Sequence, residues 1–230
     1  MLFSDPLFPG ICLLCDARIP GPMDLCGYCR ESLPWNNSAC SLCALPLRGQ
    51  HSMCADCAHR PPAWQKIVAP LRYAEVTAGW IHQLKFNDGL VQARLVSQLL
   101  LEAIDKNYEH HPLPDFIIPV PLSWQRLLRR GFNQSTVLAR PIAKRLKKPL
   151  LTRAAKRLRH TAAQQSLSRT QRTRNLAGAF HCKRDWHGAT VAIVDDVMTT
   201  GATLALLTNV LLQTNAGAVH VWCATRTPAP

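Results

Sequence analysis

Eight of the ten cysteines fall into four CxxC pairs, Cys12/Cys15, Cys26/Cys29, Cys40/Cys43 and Cys54/Cys57, and each pair begins fourteen residues after the last. No other feature restricts this segment's fold so tightly. Two CxxC knuckles about ten residues apart bring four thiolates around one tetrahedral ion, the arrangement of a structural zinc site. Short loops close at lower entropic cost, which favours sequential pairing. Cys12, Cys15, Cys26 and Cys29 then hold one ion, and Cys40, Cys43, Cys54 and Cys57 the other; a cross-braced scheme would interleave the pairs. Apolar residues are scattered here among Pro, Gly and Cys, so metal has to supply much of the folding energy. Disulfides conflict with the reducing compartment inferred below, and a single redox CxxC does not explain four regular pairs. An iron–sulfur cluster stays open, since four-cysteine sets serve it too. Four protein ligands leave zinc no position for water, so the segment is assigned no chemistry. His51 and His59 have no necessary role beside complete cysteine sets.

A chain of 230 residues, 47% apolar and 18% charged, can bury an ordinary core and fits one large domain or a domain plus a small module. Its net charge of +13 implies an anionic partner: nucleic acid, a polyphosphate metabolite or an acidic membrane surface. Between Asp115 and Asp185 there is no acid, while Arg126 to Arg174 holds fifteen Lys and Arg, which points to an anion-binding face. Met1 to Leu14 lacks a basic start, carries Asp5 and is interrupted by Pro6 and Pro9, so it does not read as a secretory signal. No apolar run approaches the roughly eighteen residues of a membrane span. The expected location is the cytoplasm, where thiols stay reduced.

Arg60-Pro61-Pro62 ends the cysteine segment, giving three expected units: a double zinc ribbon over 1–62, a strand and helical connector over 63–112, and an α/β core over 113–230. Lys66 to Tyr73 reads as a strand. Ala74 to about Lys106 reads as one or two amphipathic helices with Trp80, Ile81, Leu84, Leu95, Leu99 and Leu100 as the buried stripe. Lys85, just before Asn87-Asp88-Gly89, reads on composition as a surface lysine. Phe116 to Pro121 reads as a short buried strand running into a loop; Arg126, Arg129 and Arg130 follow. Gly131-Phe132-Asn133-Gln134 then opens a helix towards Lys148, with Asn133 or Ser135 at its N-terminus. Trp124 and Phe132 read as core or loop anchors, and Cys182 and Cys223 as small buried hydrophobes. Val219 to Ala224 reads as the last strand.

The most informative stretch for chemistry is Val191-Ala192-Ile193-Val194-Asp195-Asp196-Val197-Met198-Thr199-Thr200-Gly201-Ala202-Thr203. Four apolar residues make a buried parallel strand, two acids mark its carboxyl end, and a Thr/Gly loop turns into the helix Leu204 to Leu212. Ligands of open α/β sheets bind outside the carboxyl ends of strands, and a helix N-terminus offers unpaired N–H groups to a phosphate. Gly201 lets backbone approach an oxyanion, and Thr199, Thr200 and Thr203 add hydroxyl donors. Adjacent carboxylates suit a vicinal diol. Diol and phosphate on one turn describe ribose 5-phosphate.

This stretch resembles the 5-phosphoribosyl-1-pyrophosphate (PRPP) motif of type I phosphoribosyltransferases. The wider order looks like the ComF family: cysteine knuckles, Leu84-Lys85-Phe86, Pro119-Val120-Pro121-Leu122, Arg130-Gly131-Phe132-Asn133-Gln134, Thr161, Gln164, Leu167, Arg172, Asn175, Phe180 and the acid pair. The resemblance implies a type I phosphoribosyltransferase-like core with a mainly parallel sheet. It implies that Asp195 and Asp196 bind the ribose hydroxyls with Val197 and Met198 beside them, and that Thr199, Thr200, Gly201, Ala202 and Thr203 cradle the 5-phosphate. Val120, Pro121, Leu122 and Ser123 would hold pyrophosphate, and His160 to Phe180 would close over the site with Arg169, Arg172 and Arg174 as its clamp. Magnesium accompanies PRPP. Family members are associated with competence, uptake of DNA and its use as a nutrient. Enzymes acting on 6-oxopurines carry an acid where this chain has Thr199, so purine salvage is disfavoured, while orotate-like and amine-like acceptors stay open. Two functions follow: a phosphoribosyltransferase, or a PRPP-sensing adaptor that engages single-stranded DNA or a DNA-processing protein through its ribbons and basic face. A zinc-ribbon transcription regulator is a third reading.

Overall fold

A computed structural model describes residues 10–19, 24–49, 51–86, 89–158 and 178–229. Arg169, Arg172 and Arg174, with most of the expected closing loop, lie outside the described residues. The same holds for Asn87 and Asp88.

The cysteine segment contains strands β1 (Gly10–Ile11) and β2 (Arg18–Ile19), paired antiparallel, and two short helices, α1 (Gly27–Glu31) and α2 (Ala55–His59). The fourteen-residue repeat recurs in space: Cys26 and Cys54 occupy equivalent positions immediately before α1 and α2. The strand expected over Lys66 to Tyr73 is split into β3 (Lys66–Val68) and β4 (Leu71–Arg72). The break falls at Ala69-Pro70, because proline has no N–H for the ladder. α3 (Glu75–Phe86) and α4 (Leu90–Asn107) follow, then β5 (Phe116–Pro119).

A helix not anticipated from the sequence, α5 (Trp124–Arg130), fills what was expected to be loop; it stops where Gly131 takes a left-handed conformation, φ 75°. α6 (Gln134–Leu146) starts at Asn133, whose side chain accepts from the Ser135 N–H. β6 (Ala155–Arg157) and β7 (Phe180–Cys182) pair antiparallel. β8 (Thr190–Met198), α7 (Ala202–Gln213) and β9 (Ala218–Arg226) complete the described elements.

The central sheet runs β3-β9-β8-β5 with β4 also on β9, and every pairing is parallel. β8 and β9 lie at its centre, covered on both faces, which explains their nearly continuous apolar sequence. Alternating residues serve the two faces. Ala192, Val194 and Trp222 meet α3, α4 and α6, where the stripe from Trp80 to Leu100 is buried as expected. Val191, Ile193 and Val221 meet α7 and Trp186. The first cysteine set packs with the former face and the second with the latter, so the ribbons straddle the sheet. Asn36 sits at their junction: its Nδ2 donates to the carbonyls of Ala44 (2.8 Å) and Ala69 (3.1 Å), and its N–H donates to Pro70. Among the described residues no helix is long and apolar enough to cross a membrane.

At the start of β9, Tyr108 Oη accepts from Trp222 Nε1 at 3.1 Å and lies 2.8 Å from His220 Nδ1. The phenol and the imidazole share one hydrogen bond, whose direction follows the tautomer of the ring. Burial, reinforced by the charge of Lys66, lowers the His220 pKa from 6.5 to about 4. A pKa lower in the folded than in the unfolded chain means the unfolded chain binds more protons between those values. The contribution of His220 to stability is therefore full above about 6.5 and declines as pH falls towards about 4. NMR titration of the His220 ring should find it neutral at pH 6; a His220 midpoint near 6.5 would refute this account.

Candidate functional site

The acid pair sits near the carboxyl end of β8, beside the point where β5 leaves the sheet. The Val120 N–H donates to Val194 (2.9 Å), and the chain then turns away, opening that edge of β8 to the start of α6. Asn133 joins the two segments: its Nδ2 donates to the Val120 carbonyl (2.9 Å) while its Oδ1 caps α6. Ser135, one residue into the helix, donates its hydroxyl to Asp195 Oδ1 at 3.0 Å, and the same oxygen accepts the Asp196 N–H at 3.0 Å.

Both acids are buried. Burial first, and the neighbouring Asp196 charge second, push the Asp195 pKa well above the ordinary carboxylate range, against the pull of the Asp196 N–H and the Ser135 hydroxyl. Lys85, expected at the surface, is instead partly buried with its ammonium 3.1 Å from Asp196 Oδ2. That oxygen forms no hydrogen bond of good geometry among the described residues, so Lys85 supplies charge without directed bonding. Arg126, Arg129 and Arg130 on α5 and Arg157 on β6 complete the electrostatic surroundings. Burial lowers the Arg130 pKa, with the repulsion of Arg126 and Arg129 opposed by the attraction of Asp196. Burial also dominates at Arg157, where Arg126 repels and Asp195 attracts.

The loop after β8 has the features a phosphate cradle requires. Gly201 adopts φ 77°, immediately before α7, and as its N-cap residue offers no side-chain bond. The Thr200 hydroxyl accepts from the Ala202 N–H at a long 3.4 Å, and the N-terminal N–H groups and dipole face the loop. Thr199 and Thr200 are exposed, and Ala202 and Thr203 half-buried. On the β5 side, Val120, Pro121 and Leu122 lead to Ser123, whose buried hydroxyl has no hydrogen-bond partner among the described residues. The structure thus brings Asp195, Asp196, residues 199–203 and residues 120–123 to one end of the sheet.

Lys85, Ser135 and Arg157 join them without having been assigned a site role from the sequence. Lys85 lay inside a motif that drew attention and Ser135 was named only as a candidate for the start of α6; nothing local to Arg157 distinguishes it. Trp124, expected as core or anchor, is 68% exposed on α5, as is Leu128 at 65%. A concavity of about 480 Å³ beside Leu150, Arg153, Lys183 and Arg184 contains none of the acid-pair residues.

The cysteines form two separate clusters, in the sequential scheme, with all four Sγ atoms of each within 4.8 Å of one another. Cys15–Cys26 and Cys43–Cys54 Sγ atoms lie 3.7 Å apart, close to the edge of about 3.8 Å that a tetrahedron of roughly 2.3 Å Zn–S bonds has. The residues therefore fit zinc. Burial would raise the Cys12 thiol, but the N–H groups of Cys26, Leu14 and Cys15 lower it to about 6; the equivalent Cys40 falls to about 7 through Cys54, Leu42 and Cys43. Repeated N–H donation to sulfur favours the thiolate at these two positions, whereas neighbouring thiols and burial raise Cys29, and burial and neighbouring thiols raise Cys43 and Cys57.

Gly201 permits one further check of the cradle. A Cβ there would lie 2.6 Å from Met198 Cε, in a backbone conformation that side chains rarely adopt. Gly201→Ala should lower unfolding free energy by about 1–3 kcal/mol in urea titrations; an unchanged midpoint would show that the loop relaxes freely.

Comparison with known proteins finds two matching family models. Residues 3–58 match the family model of a double zinc ribbon domain, and residues 133–229 that of a phosphoribosyl transferase domain. DNA utilization protein YhgH of Escherichia coli strain K12 is 39% identical over 224 residues, covering 95% of this chain and 98% of that one. Its Salmonella typhi counterpart is 38% identical over the same coverage. Competence protein F of Haemophilus influenzae is 36% identical over 70% of this chain and 72% of its own. A solved purine phosphoribosyltransferase from Pyrococcus horikoshii aligns at 18% identity over 56% of this chain and 70% of that one, with a TM-score of 0.35, too low to carry an argument. The double zinc ribbon, the phosphoribosyltransferase-type core and near full-length relatives together make this chain a member of the ComF family.

Proposed function

We propose that the acid-pair site binds PRPP with magnesium, and that the chain is a phosphoribosyltransferase-like protein acting in the uptake or use of external DNA. One observation carries the first half: buried Asp195 and Asp196 stand beside a helix N-terminus that is reached through the left-handed Gly201, which gives it no capping side chain of its own. Relatives named for DNA utilization and competence support the second half. Cysteine thiolates that hold zinc suit a reducing compartment, here taken to be the cytoplasm.

In this reading the carboxylates accept from the ribose hydroxyls, Ser135 and Lys85 hold them in position, and residues 199–203 donate to the 5-phosphate. Ser123, with its unsatisfied hydroxyl, and the N–H groups of the loop after β5 face the pyrophosphate. Arg126, Arg129, Arg130 and Arg157 supply fixed positive charge where a leaving pyrophosphate develops negative charge. Magnesium, when bound, screens the pyrophosphate and favours its departure. Thr199 in place of an acid argues for an acceptor other than a 6-oxopurine.

A second reading rests on α5. Trp124 and Leu128 stand exposed beside Arg126, Arg129 and Arg130, a stacking face next to cations and free of acids. Such a surface suits single-stranded nucleic acid, with aromatic stacking tolerant of sequence and phosphates held electrostatically. The chain would then be an adaptor that senses PRPP and engages DNA or a DNA-processing protein without turnover.

Calorimetric titration of PRPP and magnesium into zinc-loaded protein should give binding that weakens at least tenfold in an Asp195→Asn/Asp196→Asn variant. Absence of binding by folded wild type would remove the PRPP assignment and leave the core a scaffold. For the second reading, Trp124→Ala should weaken binding of a labelled single-stranded oligonucleotide by about 1–3 kcal/mol, fivefold or more. Equal affinities in anisotropy titrations would exclude stacking on α5.

A further inference from the structure

Arg226, the last residue of β9, is only 6% exposed, yet backbone carbonyls take up its guanidinium. Nε donates to the Cys43 carbonyl at 3.0 Å. A terminal nitrogen donates to the carbonyls of Met198 (3.1 Å), Thr199 and Thr227 (2.7 Å). Cys43 belongs to the first knuckle of the second cysteine set; Met198 and Thr199 open the phosphate loop. One buried cation therefore joins a metal-ligand turn to the candidate cradle. A buried guanidinium is costly unless its donors are satisfied, so the carbonyls at both ends are held to its planar fork.

A second link runs beside the first. Trp64 Nε1 donates to the Leu42 carbonyl at 2.7 Å, within the same Cys40–Cys43 knuckle. The edge of its ring lies 3.4 Å from the position a Cβ on Gly201 would take. Consecutive carbonyls of one knuckle are thus tied to consecutive walls of the loop, Leu42 to Gly201 through Trp64 and Cys43 to Met198 and Thr199 through Arg226. The first cysteine set is anchored differently: Asp24 pairs with Arg94, and Arg30 donates to Glu102 at 2.5 Å, both on α4 across the sheet.

We propose that the second zinc ribbon is a working wall of the phosphate loop, and that Arg226 is the positioning residue through which the geometry of the metal-bound Cys40–Cys43 knuckle sets residues 198–201. Metal in the second site, but not in the first, then determines how tightly the core holds its anionic ligand. The ligand half of this inference rests on the PRPP reading; the loop half does not.

Full-length protein separates the two through two readouts: hydrogen–deuterium exchange of the amides from Thr199 to Thr203, and calorimetric affinity for PRPP with magnesium. A Cys54→Ser/Cys57→Ser variant, which empties the second site, should accelerate loop exchange at least tenfold and weaken PRPP binding at least tenfold. A Cys26→Ser/Cys29→Ser variant, which empties the first, should leave both within twofold. Arg226→Met should reproduce the second-site effect while retaining two zinc ions, and Arg226→Lys should not rescue it, because one ammonium cannot serve both carbonyl groups of the knuckle and loop. Combining Arg226→Met with loss of the second site should add less than twofold. If the second-site variant fails to fold, Arg226→Met and Trp64→Phe at full zinc content carry the test.

Loop exchange that ignores the second zinc and Arg226, or that responds equally to the first, overturns the inference. Exchange that follows the second zinc in a protein that does not bind PRPP upholds the coupling and removes the ligand assignment instead.

Discussion

Two carboxylates on a strand covered on both faces cannot rely on bulk water, and the elements around β8 are arranged to answer them. Asp195 takes a hydroxyl from α6 and the N–H of its neighbour. Asp196 takes an ammonium from α3. α5 and β6 add arginines at longer range. Moving a carboxylate out of water without such partners is prohibitive, so the site's architecture is largely the record of how that penalty is offset. The offset is incomplete: among the described residues Asp196 Oδ2 has charge beside it but no good hydrogen bond, and the Ser123 hydroxyl has none. Unsatisfied polar atoms gathered at the carboxyl end of a parallel sheet are what a polar ligand would complete.

The cysteine segments solve a different problem. Each knuckle pair is too short to bury a core of its own, and a tetrahedral metal replaces that core. What the ribbons do next depends on the face of the sheet they reach. The first packs against α4 by apolar contacts and partly exposed ion pairs, which in water contribute little each. The second is drawn into the apolar layer that also contains Trp64, Met198 and α7, and is bonded through its backbone. Two nearly identical repeats thereby acquire unequal consequences for the candidate site.

Much was legible from the sequence alone. The alternating order of strand and helix, the buried stripe from Trp80 to Leu100, the four CxxC knuckles and the strand–acid–loop–helix stretch are written in spacings of a few residues, and local chemistry enforces them. α5 was not legible, because Trp124 to Arg130 buries no residue that would set a helical period, and the N-cap Ser123 is a lone cue that makes no capping bond. The division at Pro70 shows the opposite case: the proline was visible, but whether the chain resumed pairing beyond it depended on β9 being present.

The sequence by itself therefore determined the inventory: which cysteines form knuckles, which strand is buried and where the acids and the loop glycine must lie, since each follows from neighbours near in the chain; whether the knuckles group sequentially was left to the fold. Only the tertiary structure decided the partnerships. Lys85 meets Asp196, Ser135 meets Asp195 sixty residues away, and Arg226 meets Cys43 at a separation of 183 residues. No local pattern encodes such contacts, because parallel strands are joined by long crossovers, and the elements that meet at their ends are set by strand order in the sheet rather than by distance along the chain.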